Sequence, residues 1–402
     1  MIDVKTVADD DELRATHSLF RGALHAPPAD DAGWAHVRGG FLPGRTFGGY
    51  LGGTLAGCTM SFPMRMAVPG GALLPSAAVT RVGVRADFTR RGVLTALMRE
   101  QLTAIAADGE PLASLRASQY PIYGRFGYGV ATRGMDLTVD PRRARPHPGA
   151  PPRGDLRLVP KAELSAVLPG VYDRIGVHRP GMLERTSDWW AVNLDRPGDT
   201  GHAVAAVHTG PGGDDGYVYY RPEENHTEDD PWGTALRVAD LHAANPAALA
   251  ALWRYLLGVD MTNLVGAMLR PLDEPVDLLL ADPRVVARRS VGDEAWLRLV
   301  DVPAALTARS WAGSEAVTVA VRDELLPANA GTYRVSPDGV GRTDDEPALT
   351  CDVSVLARLY LGDVTPSALA HTGWLTARDP AVLPTADRLF ATGVVPWSGT
   401  FF

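Results

Sequence analysis

Two stretches of the chain place reactive residue types at spacings that chemistry can use. In VGVRADFTRRGVLTALM (82–98) a strand-like run ends, a basic turn follows, and Gly92 opens a helical pattern. The start of a helix gathers unpaired backbone N–H groups at the positive end of its dipole. Arg90 and Arg91 add charge there, and Gly92 leaves room for a ligand to approach the main chain. The combination suits a phosphate or pyrophosphate. Without a ligand it is a solvated basic turn ahead of a core helix. The second stretch, ASQYPIYGRFGYGVAT (117–132), sets Tyr120, Tyr123, Phe126 and Tyr128 among Gly124, Gly127 and Gly129. A phenol of pKa about 10 stays protonated at neutral pH and can donate to a developing anion. The alternative is that all three tyrosines pack.

Other chemistries are excluded by spacing. Neither G-x-G-x-x-G nor G-x-x-x-x-G-K-[ST] occurs, so a bound phosphate belongs neither to a nicotinamide cofactor nor to ATP. No G-x-S-x-G points to a hydrolase. The only cysteines, Cys58 and Cys351, form no C-x-x-C or Cys/His cluster, which predicts reduced, buried thiols, a cytoplasmic protein and no metal. The histidines His25, His36, His178, His226, His242 and His371 show no metal-ligand spacing. The net charge of −8 over 402 residues argues against nucleic-acid binding. No run of 18 apolar residues predicts a membrane span, and the acidic start MIDVKTVADDDELRA lacks the apolar core of a secretory signal.

The elements that must position these residues follow from hydrophobic period. RTFGGYLGGTLAGCTM (45–60) reads as two strands joined at Gly-Gly, and AAVTRVGV (77–84) as a strand. Strict alternation in that strand puts Val79, Arg81 and Gly83 on one face, with Val82 and Val84 opposite. Leu94, Leu97, Met98, Leu102 and Ile105 recur at helical spacing before a stop at Gly109, and PLASLRAS (111–118) is the next strand. Asp9–Glu12 cap the first helix. The stretch PRRARPHPGAPPRGD (141–155) reads as a linker. Beyond it the same vocabulary returns, including NPAALAALWRYLLG, a helix opened by Asn245 with Pro246 in its first turn. VVARR (285–289) reads as a short strand ended by a turn, with a break near 291.

A strand, then R-R-G, then a long helix resembles the acetyl-CoA pyrophosphate loop of the GCN5-related N-acetyltransferases. Against that superfamily's Q/R-x-x-G-x-G/A, Thr89 departs at the first place and Leu94 at the last. SQYPIYGRFGYGVAT is similar to the signature block of the enhanced intracellular survival (Eis) family within it, and PAALTAR (303–309) and VLARLYLG (355–362) resemble segments of the same family. The resemblance implies an α+β chain: two GCN5-related acetyltransferase-like domains of mixed sheets flanked by helices, and a sterol-carrier-protein-like C-terminal domain. Residues 1–145 would hold the acetyl-CoA site, 146–290 a second domain without its own site, and 291–402 the third. It also implies a homohexamer.

Site residues carried over by that resemblance are as follows. Val82, Gly83 and Val84 would meet the pantetheine arm as an added strand would. Arg90, Arg91, Gly92, Val93, Leu94 and Thr95 would hold the pyrophosphate, and Ser118 completes the cofactor set. Tyr123 would protonate the departing thiolate, and the free carboxylate of the last residue, Phe402, would handle the amine. A terminal carboxyl of pKa about 3.5 faces an ammonium of about 10.4, a gap on the order of 9 kcal/mol, so it positions the ammonium and passes its proton on through water. Trp34 and Phe401 would line the acceptor pocket. Phe401 stands where studied family members carry an acid, and the acid expected about ten positions before Trp34 is missing from Gly22–His25. A more apolar acceptor pocket follows. The expected activity is acetyl-CoA-dependent N-acetylation of an aminoglycoside, another small amine or a lysine side chain. The rival expectation is an apolar-ligand-binding protein whose acetyl-CoA domain is a non-catalytic sensor.

Overall fold

A computed structural model describes residues 1–152, 154–194 and 203–402. The chain forms two compact units: Met1–Thr132 with Arg179–Leu183 and Asp293–Phe402, and Arg133–His178 with Glu184–Gly292.

The first stretch runs β1 (Ile2–Thr6), α1 (Asp10–Ala23), α2 (Asp31–Arg38), β2 (Thr46–Leu51), β3 (Thr54–Ala67), β4 (Leu73–Val84), α3 (Val93–Ala107), β5 (Leu112–Leu115) and β6 (Gly129–Val139). Asp9 caps α1, its side chain accepting the Asp11 and Glu12 amides. Gly52 and Gly53, at φ 60° and 80°, make the two-residue hairpin between β2 and β3. Strand β4 pairs with β5 in parallel only over Ser76–Ala78 against Leu112–Ser114. Beyond that point β4 follows β3 on to Val84, while β5 ends at Leu115, and the two strands part.

Where they part, β4 bulges. Cys58 pairs with Gly83 but Met60 with Thr80, and Arg81 sits at φ 50°. The extra residue overturns the expected alternation: Val79 and Val82 share one cluster, and Val84 joins another with Val93.

The second stretch contains β7 (Asp155–Val159), α4 (Leu164–Ile175), α5 (Ser187–Asn193), β8 (Val204–Gly210), β9 (Gly213–Glu224), β10 (Thr234–Ala243), α6 (Pro246–Leu256) and β11 (Thr262–Arg270). Its strand order is β6-β11-β10-β9-β8-β7, with β10 and β11 parallel. Trp253, Leu252 and Leu256 of α6 pack on Val218, Leu236, Leu241 and Val265. The proline-rich stretch 141–155, expected to be a linker, lies within this unit and is largely exposed but tied to it by backbone hydrogen bonds, residue 153 lying outside those described. His147 N–H donates to the Leu279 carbonyl and Ala281 N–H to that of Arg145, each at 2.8 Å.

No turn follows VVARR, whose first residue, Val285, ends a short 3-10 turn ahead of the strand. Strand β12 runs unbroken from Val286 to Leu299, beginning in the second unit and ending in the first. Arg289 donates to Thr138 Oγ1 at 2.9 Å and Ser290 to Asp136 at 2.8 Å, so cross-strand contacts override the local turn tendency of Ser290–Asp293.

The remainder belongs to the first unit: α7 (Val302–Ala308), β13 (Val317–Arg322), β14 (Gly331–Ser336), β15 (Gly339–Arg342), β16 (Leu349–Asp352), α8 (Val353–Tyr360), α9 (Pro366–His371), β17 (Thr376–Ala377) and α10 (Leu383–Phe390). Its five strands are ordered β15-β14-β13-β16-β17. Buried Arg309 donates to the carbonyls of Leu359, Tyr360 and Phe390, satisfying the ends of α8 and α10.

Candidate active site

Tyr123, Val82 and Leu94 of the sequence-predicted residues share one apolar cluster where β4 and β5 part, whereas Trp34 belongs to another. Residues 124–126 make one tight turn, closed by Gly127 at φ 81°. The turn drops Tyr123 into the cluster of Val79 on β4, Met98 and Leu102 on α3 and Leu115 on β5, with Val82 and Leu94 at its margin. Tyr123 is 6% exposed. Loss of water pushes its phenol up to about 12. The Tyr128 ring lies 6.1 Å away, edge to face, and is wholly buried.

Of Gly124 and Gly127, whose spacing suggests that both turn the chain to bring the phenol to its target, only Gly127 has the left-handed backbone of a turn residue. Gly124 has open space around it and no left-handed backbone. A side chain on Gly127 would come within 2.8 Å of Arg298 and Val353, and one on Gly129 within 2.1 Å of the Ser354 carbonyl. Gly127 therefore closes the turn and also admits residues 298 and 353, and Gly129 admits 354.

The basic turn is built as an open cradle. Arg90 and Gly92 are both left-handed, at φ 61° and 86°. Gly92 is the cap of α3 and brings no side chain to the first-turn amides. Arg90, Arg91, Gly92 and Thr95 are exposed, Leu94 is half-buried, and Val93 is buried beside Val84. A helix start of this kind favours an anion. Gly83 has a packing duty: a Cβ there would stand 3.1 Å from Phe20 Cα of α1. Ser118 is exposed just past the end of β5.

The last residues approach the same strand pair from β3. The Phe402 ring meets Phe62 edge to face at 5.8 Å. Phe62 is the half-buried margin of a cluster formed by Val7, Leu13, Trp34, Phe41 and Met60. Trp34 itself is buried, its ring 5.3 Å from Phe41 and 5.9 Å from His17. Phe401 is exposed, with Arg116 5.2 Å from its ring. Phe62 pairs with Ala78 and Ser61 with Val79. Phe62 and Ser61 are successive residues of β3, so the pleat turns Phe62, and the Phe402 ring on it, to the opposite face of the sheet from Val79 and the Tyr123 cluster. Sequence reasoning missed Phe62, Arg116 and Glu294. Glu294 had a signal, a carboxylate inside the apolar run EAWLRLV, where a charge is costly unless paired.

Among the described residues no group of three or more His, Cys, Asp or Glu is placed to hold a metal, and no helix is long and apolar enough to cross a membrane.

Residues 4–131 match an acetyltransferase (GNAT) domain family, 181–299 a second acetyltransferase (GNAT) domain family, and 302–399 the sterol carrier protein domain family. An N-acetyltransferase of Streptomyces avermitilis is 38% identical over 364 residues, 88% of each chain. N-acetyltransferase Eis of Mycobacterium bovis is 35% identical over 357 residues, 85% of each. The chain belongs to the Eis family of N-acetyltransferases. The crystal structure of Eis1 from Mycobacterium abscessus matches with a TM-score of 0.90 at 37% identity, covering all of both chains. As an Eis-family member the protein is an acetyltransferase with two GNAT domains and a sterol carrier protein domain, and GNAT acetyltransferases use acetyl-CoA. Among the described residues β4 and β5 pair only over Ser76–Ala78, and α3 starts without a side-chain cap.

Proposed function

We propose that this Eis-family enzyme transfers the acetyl group of acetyl-CoA to a primary amine of a small molecule by direct attack. The observation that supports the reading is buried Tyr123 in the cluster of Val79 and Leu115 where β4 and β5 part, with the Phe402 ring resting on Phe62 of the adjoining strand β3. When bound, acetyl-CoA supplies a thioester whose carbonyl takes the amine and whose sulfur leaves as thiolate. Val82, Gly83 and Val84 would hold the pantetheine arm, and Arg90–Thr95 the pyrophosphate. Tyr123 holds the proton that the sulfur takes up. A phenol at about 12 is a weak acid against an ordinary thiol of about 8.5. The transfer therefore depends on the site desolvating the departing thiolate as it does the phenol. The Phe402 carboxylate orients the ammonium and passes its proton to water.

The acceptor end is aromatic, with Phe62, Phe401 and Phe402 where a polycation would want carboxylates. This favours an amine with an apolar body over an aminoglycoside. In the same proposal, residues 1–145 carry the chemistry, 146–290 act as a second domain without a site, and 291–402 deliver the carboxylate; sedimentation tests the homohexamer. The deciding experiment mixes protein, acetyl-CoA and a panel of an aminoglycoside, a polyamine, an arylalkylamine and a lysine peptide with a thiol reagent. Amine-dependent CoA release with the arylalkylamine fastest is expected. Acetyl-CoA binding without release for any amine would defeat the reading. Direct attack is expected to leave the protein mass unchanged when acetyl-CoA is added alone.

A further inference from the structure

Residues 391–402 belong to no helix or strand, yet residues 396, 397, 398 and 400 among them are buried. Chain ends ordinarily fray unless something ties them down. Here the tie is a carboxylate. Glu294, on β12, is 1% exposed. Its oxygens accept the Ser398 amide at 2.9 Å, the Gly399 amide at 2.8 Å, the Thr132 hydroxyl at 2.9 Å and Arg116 Nη2 at 3.2 Å. Arg116 also reaches the Thr400 carbonyl with Nε at 3.1 Å and Nη2 at 3.0 Å. One residue earlier, Trp397 N–H donates to the Pro180 carbonyl at 2.9 Å.

Charged acceptors make the strong hydrogen bonds, and two successive amides on one buried carboxylate fix the direction of the chain as well as its place. Arg116 follows directly on Leu115, the last residue of β5. One side chain therefore joins the arm of the cofactor fork to the residue two before the terminus. We propose that Glu294 and Arg116 are positioning residues, a clamp on residues 398–400 that aims the Phe402 carboxylate at the acceptor amine. This rests on the reading that the Phe402 carboxylate serves the reaction.

The test uses the full chain as Glu294→Gln, Arg116→Ala, Arg116→Lys and a form with Gly-Ser added after Phe402. Three quantities are read: kcat and KM for the best amine, acetyl-CoA affinity by titration, and release of Phe402 and Phe401 by carboxypeptidase, followed by mass. Glu294→Gln and Arg116→Ala are expected to lower kcat about 10- to 100-fold, since misplacement of a reacting group by about 1 Å costs that much. They should leave acetyl-CoA affinity within about twofold and speed release of the terminal residues, and Arg116→Lys should recover part of both. Unchanged kcat or unchanged tail protection in both Glu294→Gln and Arg116→Ala overturns the clamp. Arg116 lies at the margin of the buried group, so its variants carry the test if the buried glutamine unfolds the chain. Full activity in the extended form overturns the carboxylate reading, and the clamp with it. An inactive extended form beside fully active Glu294→Gln and Arg116→Ala overturns the clamp alone.

Discussion

The protein contains two parallel-strand forks, and they end differently. In the first unit β4 and β5 pair over Ser76–Ala78 and part, with Val79, Val82 and Tyr123 in one apolar cluster beside the divergence. In the second, β10 and β11 pair from Thr234 to Val238 and part as β11 continues toward Arg270. That second divergence is filled from within. Arg270 donates to the Leu241 carbonyl at 2.8 Å and to buried Glu274 at 2.8 Å, and Trp253 Nε1 donates to the same glutamate at 2.7 Å. The helices that follow differ in the same sense. Helix α3 starts at Gly92 behind two arginines, with no side-chain cap. Helix α6 starts with Pro246, which has no N–H, and the Asn245 side chain accepts the Ala248 amide at 2.9 Å. A buried ion pair and a capping residue thus occupy in the second unit the places that in the first carry neither an ion pair nor a side-chain cap, among the described residues.

The largest expected effect separates chemistry from packing at the open fork. Tyr123→Phe keeps the ring in its cluster and removes the proton donor, so kcat should fall about 100- to 10,000-fold with acetyl-CoA affinity unchanged. Because burial holds the phenol near 12, the wild-type rate should show no loss of this acid until pH approaches that value, and an alkaline limb well below it would assign the proton to another group. At the closed fork the expected loss is of stability. Arg270→Leu strands a buried carboxylate and should cost about 3–5 kcal/mol in denaturant unfolding, whereas Arg270→Leu with Glu274→Leu should recover most of it. Equal costs for the single and double variants would mean that the pair does not fill the gap as a unit.

A smaller effect tests the block glycines. Gly129→Ala drives a methyl into the Ser354 carbonyl and should destabilise the first unit by about 1–3 kcal/mol, while Gly124→Ala should be nearly neutral. Similar melting of the two variants would return Gly124 to a turn-making role. The smallest is at the basic cradle. Arg90→Ala with Arg91→Ala should raise the acetyl-CoA KM about tenfold with kcat little changed, since each exposed arginine offers a phosphate only a modest contribution. Asn245→Gly at the second helix start should create no acetyl-CoA binding, which equilibrium dialysis would check.

Much of the first unit was legible because its signals are local. Asp9 capping α1, the Gly52–Gly53 hairpin, the apolar stripe of α3 and the basic turn behind Gly92 each depend on residues a few positions apart. The faces of β4 were not legible, because one inserted residue at Arg81 reverses every side chain after it. The run through Ser290–Asp293 misled for the opposite reason: turn-forming residues yielded to a paired strand.

Residue types and spacing by themselves marked the strands and helices of the first unit and the basic turn at a helix start, while resemblance of the 118–132 block to a known family supplied the family, the order of its parts and the tyrosine worth examining. The first two depend on short-range capping, dipole and periodicity, which the chain expresses wherever it folds. Tertiary structure decided what Tyr123 is near, why Gly127 and Gly129 are glycine, which fork is open, and that Glu294 holds the last residues. Each of these brings together groups far apart in the chain, Glu294 with Gly399 and Arg116 with Thr400 among them, and such meetings are set by packing and the need to satisfy buried charge.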